Sequence, residues 1–287
     1  MSALVVAYNT RDLVLEALAS LAGEPELAET IVVDNASSDG TFEAVADHFP
    51  GVGLFHSRLN LGFAAGTNLA ARHASSGHHL LLLNPDAALR RGALRLLLEL
   101  LASRPRAAAV GPALVYADGR PQDSAFRFPG LAQVGLDLFP VPRLAGSRLN
   151  GRQRSCSPIV IDHPLGACML IRRRAWDEVG PLDEGYFMYV EEVDWCRRAR
   201  QRGWEVWHHP GAVVQHRSAA ATSQRADAMF AQLWRSRLRY YQRYSGPAYN
   251  RAVHTLVRLG MRAAARRPDA AAPGRRRAIA QVRQLVA

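Results

Sequence analysis

The sequence predicts an α/β protein with a mostly parallel central sheet flanked by helices, followed by a basic helical extension at the C-terminus. Three observations predict it. Short apolar runs alternate with amphipathic segments through residues 1–115, which is the pattern of a parallel sheet covered by helices on both faces. Polar and glycine-rich clusters follow several of these runs. Residues 224–287 combine a helical pattern with most of the surplus positive charge.

The apolar runs of the first half predict its strands, because buried parallel strands read as continuous hydrophobic segments. In chain order these strands are Leu4–Tyr8, Ile31–Asp34, Val52–Phe55, Leu80–Leu83 and Ala108–Val115. Apolar stripes that follow caps and turns predict the helices between them. The predicted helices are residues 10–21, Phe42–His48, Phe63–His73 and residues 91–103.

The second half has a different pattern. Residues 116–165 are rich in Pro, Gly, Arg and Asp, and they predict an irregular segment over the site. The later strands are predicted at residues 166–171, Trp204–His208 and Ala212–Gln215. The later helices are predicted at Arg174–Val179, Val190–Arg202 and Gln224–Tyr244, with helical character continuing from Arg251. We therefore expect a domain of residues 1–223, with halves 1–115 and 116–223, and an extension of residues 224–287.

Charge is distributed unevenly along the chain. Residues 1–223 hold 22 of the 36 basic residues and 23 of the 25 acidic ones, whereas residues 224–287 hold 14 basic and two acidic residues. Every basic residue is an arginine. No apolar run reaches the length of a membrane span, and the opening residues lack the pattern of a signal peptide. We therefore expect a cytoplasmic protein.

Part of the extension has the pattern of a basic amphipathic helix. One face of residues 251–264 carries Arg251, His254, Thr255, Arg258 and Arg262, and the other carries Val253, Leu256, Val257 and Gly260. Such a helix suits an anionic membrane surface, which predicts a peripheral position on the inner face of the cell membrane. The alternative is a tail that is solvated or docked on the body. Nucleic acid is not an expected partner, because no aromatic platform or recognition fold accompanies the charge.

Four polar clusters stand at or near the ends of predicted strands, where α/β sheets bind ligands. They are Ala7-Tyr8-Asn9, residues 34–40, residues 60–68 and Asn84-Pro85-Asp86. A carboxylate such as Asp34 can accept hydrogen bonds from a base or a ribose, and a glycine-rich helix start favours an anion. Asp86 is a natural ligand for Mg²⁺ or Mn²⁺ near a diphosphate. Helix caps, close helix–sheet packing and an Asn-Pro turn are the structural alternatives.

In this order the clusters resemble the nucleotide-sugar half of the GT-A glycosyltransferases, specifically family 2 of inverting enzymes and its bacterial rhamnosyltransferase-like branch. The resemblance covers residues 3–245 and implies the GT-A fold, a Rossmann-like sheet flanked by helices. It implies nucleotide-sugar binding by Ala7, Tyr8, Asn9, Asp34, Asn35, Asn60, Gly62, Gly66, Asn68, Asn84 and Asp86. Asn84 replaces the first acid of the family's Asp-x-Asp motif, which leaves Asp86 as the implied metal ligand.

The resemblance continues through the acceptor half. The family has Glu-Asp, one residue and Asp where this chain has Glu191-Glu192-Val193-Asp194, so the implied catalytic base is Glu192, with Asp194 as the alternate. Residues 192 and 194 of a helix point about 200° apart, so both cannot face the acceptor equally. His216 matches a histidine near the metal in related enzymes, and Ala219-Ala220 stands where the family has Gly-Gly. The implied metal is Mg²⁺ or Mn²⁺ on Asp86 and His216; a structural histidine is the alternative.

The activity implied by the resemblance is metal-assisted, inverting transfer of a sugar from a nucleotide diphosphate donor to a hydroxyl acceptor. The acceptor would be a cell-surface glycan or a lipid-linked precursor, and the branch favours rhamnose as the sugar. The alternative is a protein on the same fold that binds a nucleotide sugar without transferring it. A dinucleotide-dependent oxidoreductase is not expected, because no Gly-x-Gly-x-x-Gly follows the first strand.

Overall fold

The computed structural model describes residues 1–144, 147–217, 226–267 and 272–287. Its strands are β1 Ser2–Ala7, β2 Glu29–Asp34, β3 Gly53–His56, β4 Leu80–Leu83, β5 Ala87–Leu89, β6 Ala107–Val115, β7 Pro121–Gln122, β8 Ala125–Phe126, β9 Ile159–Ile161, β10 His163–Pro164, β11 Cys168–Ile171 and β12 Glu205–His216. Its α-helices are α1 Arg11–Leu21, α2 Thr41–His48, α3 Phe63–His73, α4 Ala93–Ser103, α5 Leu131–Leu138, α6 Arg173–Val179, α7 Glu191–Gln201, α8 Ala226–Tyr244, α9 Pro247–Ala264 and α10 Pro273–Leu285. The predicted boundary at residues 223 and 224 and the Ala219-Ala220 pair lie outside the described residues.

The central sheet has the strand order β3-β2-β1-β4-β11-β6-β12-β5. Strands β3, β2, β1 and β4 run parallel, as do β6 and β12, while β11 and β5 run antiparallel to their neighbours. The register pairs Ala7 with Asp34, so β1 and β2 end at the same edge. The mostly parallel α/β architecture predicted from the sequence is therefore confirmed.

Helices cover both faces of this sheet. The apolar stripe of α4, including Leu94, Leu97 and Leu101, packs with α1 on one face. Trp176 of α6 and Trp195 of α7 belong to the cluster on the other face. Burying such a stripe is what stabilises an amphipathic helix in a protein.

A third apolar cluster joins α5 to the three C-terminal helices. It contains side chains from α8, α9 and α10 together with Tyr186, Val190 and Val193. The predicted faces of α9 are reflected in its burial, because Val253 and Val257 are buried while Arg258 and Arg262 are exposed. Within the described part of the chain, no helix has the length and hydropathy of a membrane span.

The structure corrects the sequence prediction in three places. Residues 116–165 are not uniformly irregular, because they contain α5 and strands β7 to β10. The short strand β5 was not predicted, since it is defined by pairing with β12 and not by a local period. The two strands predicted at Trp204–His208 and Ala212–Gln215 are one strand, β12, with a register shift between His209 and Val213.

Candidate active site

A cavity of about 310 Å³ opens at the edge of the sheet where β1, β2 and β4 end. This volume is at the lower end of the usual range for ligand pockets. The predicted site residues that line it are Tyr8, Asn35, Asn60, Gly62, Asn84, Asp86, Glu192 and His216. Segments that are far apart in the chain therefore meet in one cleft, as the sequence prediction requires.

Asp86 and His216 face each other in this cavity. The Nε2 atom of His216 lies 3.3 Å from Oδ1 of Asp86, and both side chains are buried. Their proximity follows from strand pairing, because β5 begins at Ala87 and its register places Ala87 opposite His216. The two predicted metal ligands are thus adjacent, although 130 residues separate them in the chain.

The hydrogen bonding of His216 fits a metal ligand. The Nδ1 atom lies 3.0 Å from Oε1 of Gln122, so a ring that carries its proton on Nδ1 donates it to the amide oxygen and presents a lone pair on Nε2. That lone pair and the Asp86 carboxylate then point at each other, an arrangement that favours a cation between them. No group of three His, Cys, Asp or Glu side chains with metal-ligand spacing occurs among the described residues. Two protein ligands nevertheless suit Mg²⁺ or Mn²⁺, which share their coordination with substrate phosphates and water.

Two buried carboxyl groups line the cavity at the start of α7. Glu191 and Glu192 are 5% and 9% exposed, and the Oε2 atom of each lacks a hydrogen-bond partner among the described residues. Burial raises the pKa of both groups, and repulsion from Glu192 raises that of Glu191 further. Backbone amide hydrogen bonds, including one from Gly166, oppose the rise in pKa at Glu192. Backbone hydrogen bonds thus support a charged carboxylate at Glu192 more than at Glu191.

Gly166 provides the space for the Glu192 side chain. A Cβ atom at position 166 would lie 3.2 Å from Cδ of Glu192, which is tighter than ordinary van der Waals contact. The strand end before β11 therefore approaches the carboxyl group closely and donates to it through the backbone. This gives the glycine a role in positioning Glu192.

The structure places the alternate base, Asp194, away from the cavity. Asp194 is fully buried outside the cavity lining, because the two-residue step from Glu192 turns its side chain about 200° around the helix axis. Its carboxylate accepts hydrogen bonds from Nε of Arg198 and from the hydroxyl of Tyr244, both at 2.8 Å. Asp194 is held by a protein network and is not available to a substrate hydroxyl.

Asn35 organises another part of the cavity wall. Its Nδ2 atom donates to the carbonyl of Gly62, and its Oδ1 atom accepts from the amide of Leu61. Gly62 has a φ of 82°, and a Cβ atom there would overlap the carbonyl of Phe187. The amide of Phe63 donates to that same carbonyl at 2.7 Å. This turn therefore requires glycine and joins the two halves of the chain beside the cavity.

Four predicted nucleotide-sugar residues have structural contacts instead of a place in the cavity. Asn68 makes hydrogen bonds in both directions with the backbone of Leu182. Gly66 packs its Cα against the side chain of Val6, which is the helix–sheet packing alternative. Ala7 is fully buried in β1. The Oδ1 atom of Asn9 accepts from the amide of Ser38, which ties two strand ends together.

Asp34 lies at the end of β2 and is fully buried. Its Oδ2 atom accepts from the amide of Ser37 and lies 2.9 Å from Nδ1 of His56. Its Oδ1 atom has no partner among the described residues. The predicted role of Asp34 in accepting a hydrogen bond from a base remains a prediction, and the free acceptor atom is compatible with it.

A comparison with protein-family models determines the family of the chain. The model described as glycosyl transferase family 2 matches residues 2–180. The chain belongs to glycosyltransferase family 2. The matched segment ends before Glu191, so the acidic pair and His216 are assigned to the site by geometry.

Known relatives of this glycosyltransferase agree with the family. It is 31% identical over 219 residues to N-acetylglucosaminyl-diphospho-decaprenol L-rhamnosyltransferase of Mycobacterium tuberculosis, covering 71% of each chain. It is 23% identical over 228 residues to rhamnosyltransferase WbbL of Escherichia coli, covering 74% of this chain and 81% of that one. The enzyme is thus rhamnosyltransferase-like, as the sequence motifs predicted.

A solved structure supports the GT-A fold. The mannosyltransferase PcManGT of Pyrobaculum calidifontis, in complex with GDP-Man and Mn²⁺, superposes with a TM-score of 0.59 at 19% identity. The superposition covers 99% of this chain and 84% of that chain. At this identity the likeness concerns the fold alone.

Residues of the glycosyltransferase site that were absent from the predicted set include three with ionisable or amide side chains: Glu191, Gln122 and His56. Glu191 lines the cavity beside Glu192, and the adjacent acids in the sequence are a signal for it. Gln122 and His56 contact His216 and Asp34 respectively. No local pattern identifies these two, because their contacts depend on β7 and β3 reaching the same sheet edge.

Proposed function

We propose that this glycosyltransferase transfers a rhamnosyl group from a nucleotide diphosphate to a hydroxyl of a lipid-linked sugar, with inversion at the anomeric carbon. One observation carries the proposal: the Asp86–His216 pair and the Glu191–Glu192 pair line the same cavity. The identity with the mycobacterial relative, whose name specifies a diphospho-decaprenol acceptor, supports this acceptor class and this sugar.

In the proposed reaction Glu192 removes the proton of the acceptor hydroxyl. The acceptor oxygen attacks the anomeric carbon as the bond from that carbon to the diphosphate oxygen breaks, so the nucleoside diphosphate leaves with the electron pair. A single displacement inverts the configuration. Glu192 is chosen as the base because its carboxylate receives the backbone hydrogen bonds that oppose the rise in its pKa, whereas repulsion from Glu192 raises the pKa of Glu191 further.

Asp86 and His216 would hold a divalent cation, with Gln122 orienting the imidazole. Such a cation, when bound, neutralises charge on the leaving diphosphate. Asn35 and Gly62 shape another part of the cavity wall. Among the described residues, no arginine lines the cavity. Asp86 and His216, with the cation that they would hold, are therefore the groups that we propose contact the phosphates.

A transfer assay with a polyprenyl-diphosphate-linked N-acetylglucosamine acceptor and nucleotide-rhamnose donors tests the proposal. We expect a glycosylated lipid of inverted anomeric configuration, formed only with added Mg²⁺ or Mn²⁺. A protein that only bound the donor would yield no product with any acceptor and no donor hydrolysis, and that result would replace the proposal with the binding alternative.

In the same assay we expect Asp86→Ala to lower the rate by at least about 100-fold, because metal stabilisation of a leaving group is worth several kcal/mol. The variant should also lose the Mn²⁺-dependent rise in thermal stability that bound donor gives the wild type. Asp47→Ala is the matched control, since Asp47 is exposed on α2. A full metal response in Asp86→Ala would remove Asp86 from the metal site.

We also propose that the arginine face of α9 binds anionic lipid. The apolar face of α9 is already packed, since a Cβ atom at Gly260 would overlap Leu138 of α5, so insertion of that face is excluded. Arg251, Arg258 and Arg262 are exposed and form no ion pair among the described residues. Leu259, between two of them, is 47% exposed. The remaining mode of binding is electrostatic, and it would bring the active site to a lipid-linked acceptor.

Vesicle flotation tests this mode. We expect binding to vesicles with about 30% phosphatidylglycerol at low salt and release at high salt. Replacing Arg251, Arg258 and Arg262 with Gln should weaken binding about 100-fold, at about 1 kcal/mol for each arginine. Replacing the exposed Arg72, Arg95 and Arg120 is the control. Equal losses in both triple variants would mean that charge anywhere on the surface suffices.

A further inference from the structure

The turn before the two cavity carboxyl groups has an unusual backbone. Tyr189 and Val190 have φ values of 68° and 73°, a left-handed conformation that side chains with a Cβ atom disfavour and that a β-branched valine disfavours most. Glu191 follows at once as the first residue of α7. Such a conformation persists only where surrounding contacts impose it.

The contacts around this turn come from α8, on the far side of the predicted domain boundary. The hydroxyl of Ser236 donates to the carbonyl of Met188 at 2.8 Å, immediately before the turn. The hydroxyl of Tyr244 donates to Oδ1 of Asp194 at 2.8 Å, in the first turn of α7. The two hydrogen bonds therefore fix the chain on both sides of Tyr189 and Val190.

Charged and apolar contacts extend this attachment. Arg239 and Arg243 of α8 both pair with Asp183, with N–O distances of 3.0 and 2.5 Å. Val190 and Val193 are buried in the apolar cluster that contains Trp234 and Leu238 of α8. Helix α8 thus contacts the segment of residues 183–194 by hydrogen bonds, ion pairs and apolar packing.

We propose that α8 is a positioning element of the active site, in which the Ser236 and Tyr244 hydroxyls hold the left-handed turn at Tyr189 and Val190 so that Glu192 faces the cavity. Asp194 is then the anchor point of α7 for Tyr244. The proposal rests on the proposed role of Glu192 as the base. It gives part of the C-terminal extension a function in the transfer step itself.

The test uses Ser236→Ala and Tyr244→Phe in the full chain. Each removes one hydroxyl, and misplacing a base by a fraction of an ångström is costly, so we expect kcat to fall roughly 10- to 100-fold. The KM of the donor should stay within about twofold, because the donor wall is untouched. Amide hydrogen exchange of residues 187–196 should accelerate roughly fivefold in both variants, as one lost hydrogen bond predicts.

Tyr240→Phe is the matched control, because Tyr240 is buried on the same helix and its hydroxyl has no hydrogen bond to a residue that the structure describes. It should change neither kcat nor the exchange of residues 187–196. Wild-type kcat and exchange in both Ser236→Ala and Tyr244→Phe would overturn the proposal, even if Glu192→Gln were inactive. Wild-type activity of Glu192→Gln would instead refute the proposed base, and the exchange data would still decide whether α8 holds the turn.

Discussion

Glu192→Gln is expected to lower kcat by about 10²- to 10⁴-fold while nucleotide binding survives, because it removes a general base and keeps the shape of the side chain. Burial raises the pKa of Glu192 above the ordinary glutamate value of 4.5. As the pH is lowered, the wild-type rate should therefore begin to fall at a higher pH than it would with an ordinary glutamate as the base. The protonated form predominates below that pKa and cannot accept a proton. The pH–rate profile of kcat in Glu192→Gln should lack this acid limb.

The same substitution should not destabilise the protein. A carboxyl group whose pKa is raised on folding binds its proton more tightly in the native state, so stability falls as the pH rises through the interval above the unfolded value. At neutral pH the buried charge therefore costs stability, and Gln removes that cost together with the repulsion of Glu191. Thermal unfolding should show an unchanged or higher Tm.

Two control variants test whether the loss of kcat is specific to Glu192. Glu191→Gln imitates the protonated acid, so it should lower kcat by much less than Glu192→Gln; the reverse order would transfer the role of base to Glu191. Glu43→Gln, exposed on α2, controls for the loss of a carboxylate. A Glu192→Gln protein with near wild-type kcat would exclude Glu192 from the reaction.

Asp194→Asn is expected to have the second large effect, but on stability. Asp194 is fully buried and pairs with Arg198, whose side chain is 12% exposed. Removing one partner of a buried ion pair leaves an uncompensated charge and costs about 3–5 kcal/mol. For a chain of this size each kcal/mol lowers the Tm by roughly 2–4 °C, so a loss of about 6 °C or more should appear in thermal unfolding.

The control is another pair with the same i,i+4 spacing. Asp177 pairs with Arg173 on α6, but the Asp177 side chain is 56% exposed. Asp177→Asn should therefore change the unfolding free energy by no more than about 1 kcal/mol. If Asp194→Asn kept the wild-type Tm and lost activity as fully as Glu192→Gln, Asp194 would return as the candidate base.

The different effects expected for Glu192→Gln and Asp194→Asn have one cause, which is that the two side chains point about 200° apart on helix α7. The sequence predicts that the two side chains diverge, but it does not say which one faces the substrate. The position of α7 decides this, since it is packed against α6 and β10 on one side and tied by Tyr244 of α8 on the other. The local pattern of acids therefore identified the right segment and left both residues as candidates.

The central sheet and its nearby polar clusters were determined largely by the sequence. Helix α3 and strand β4 have the predicted bounds, because uninterrupted apolar stripes and runs are local signals of burial. The clusters after β1, β2 and β4 reach one edge, since parallel strands share their direction. Glycine-rich residues 60–68 were harder to assign, because Gly62 lies at the cavity whereas Gly66 packs on Val6.

The sequence by itself determined the fold class and the segments of the chain that meet in the cavity, because hydrophobic period and strand-end chemistry are local properties. Only the tertiary structure decided which side chains of these segments contact one another. Short strands such as β5 and β7, which bring Asp86 and Gln122 to His216, exist through long-range pairing. The attachment of α8 to the Glu192 turn likewise depends on helix packing, which no window of sequence encodes.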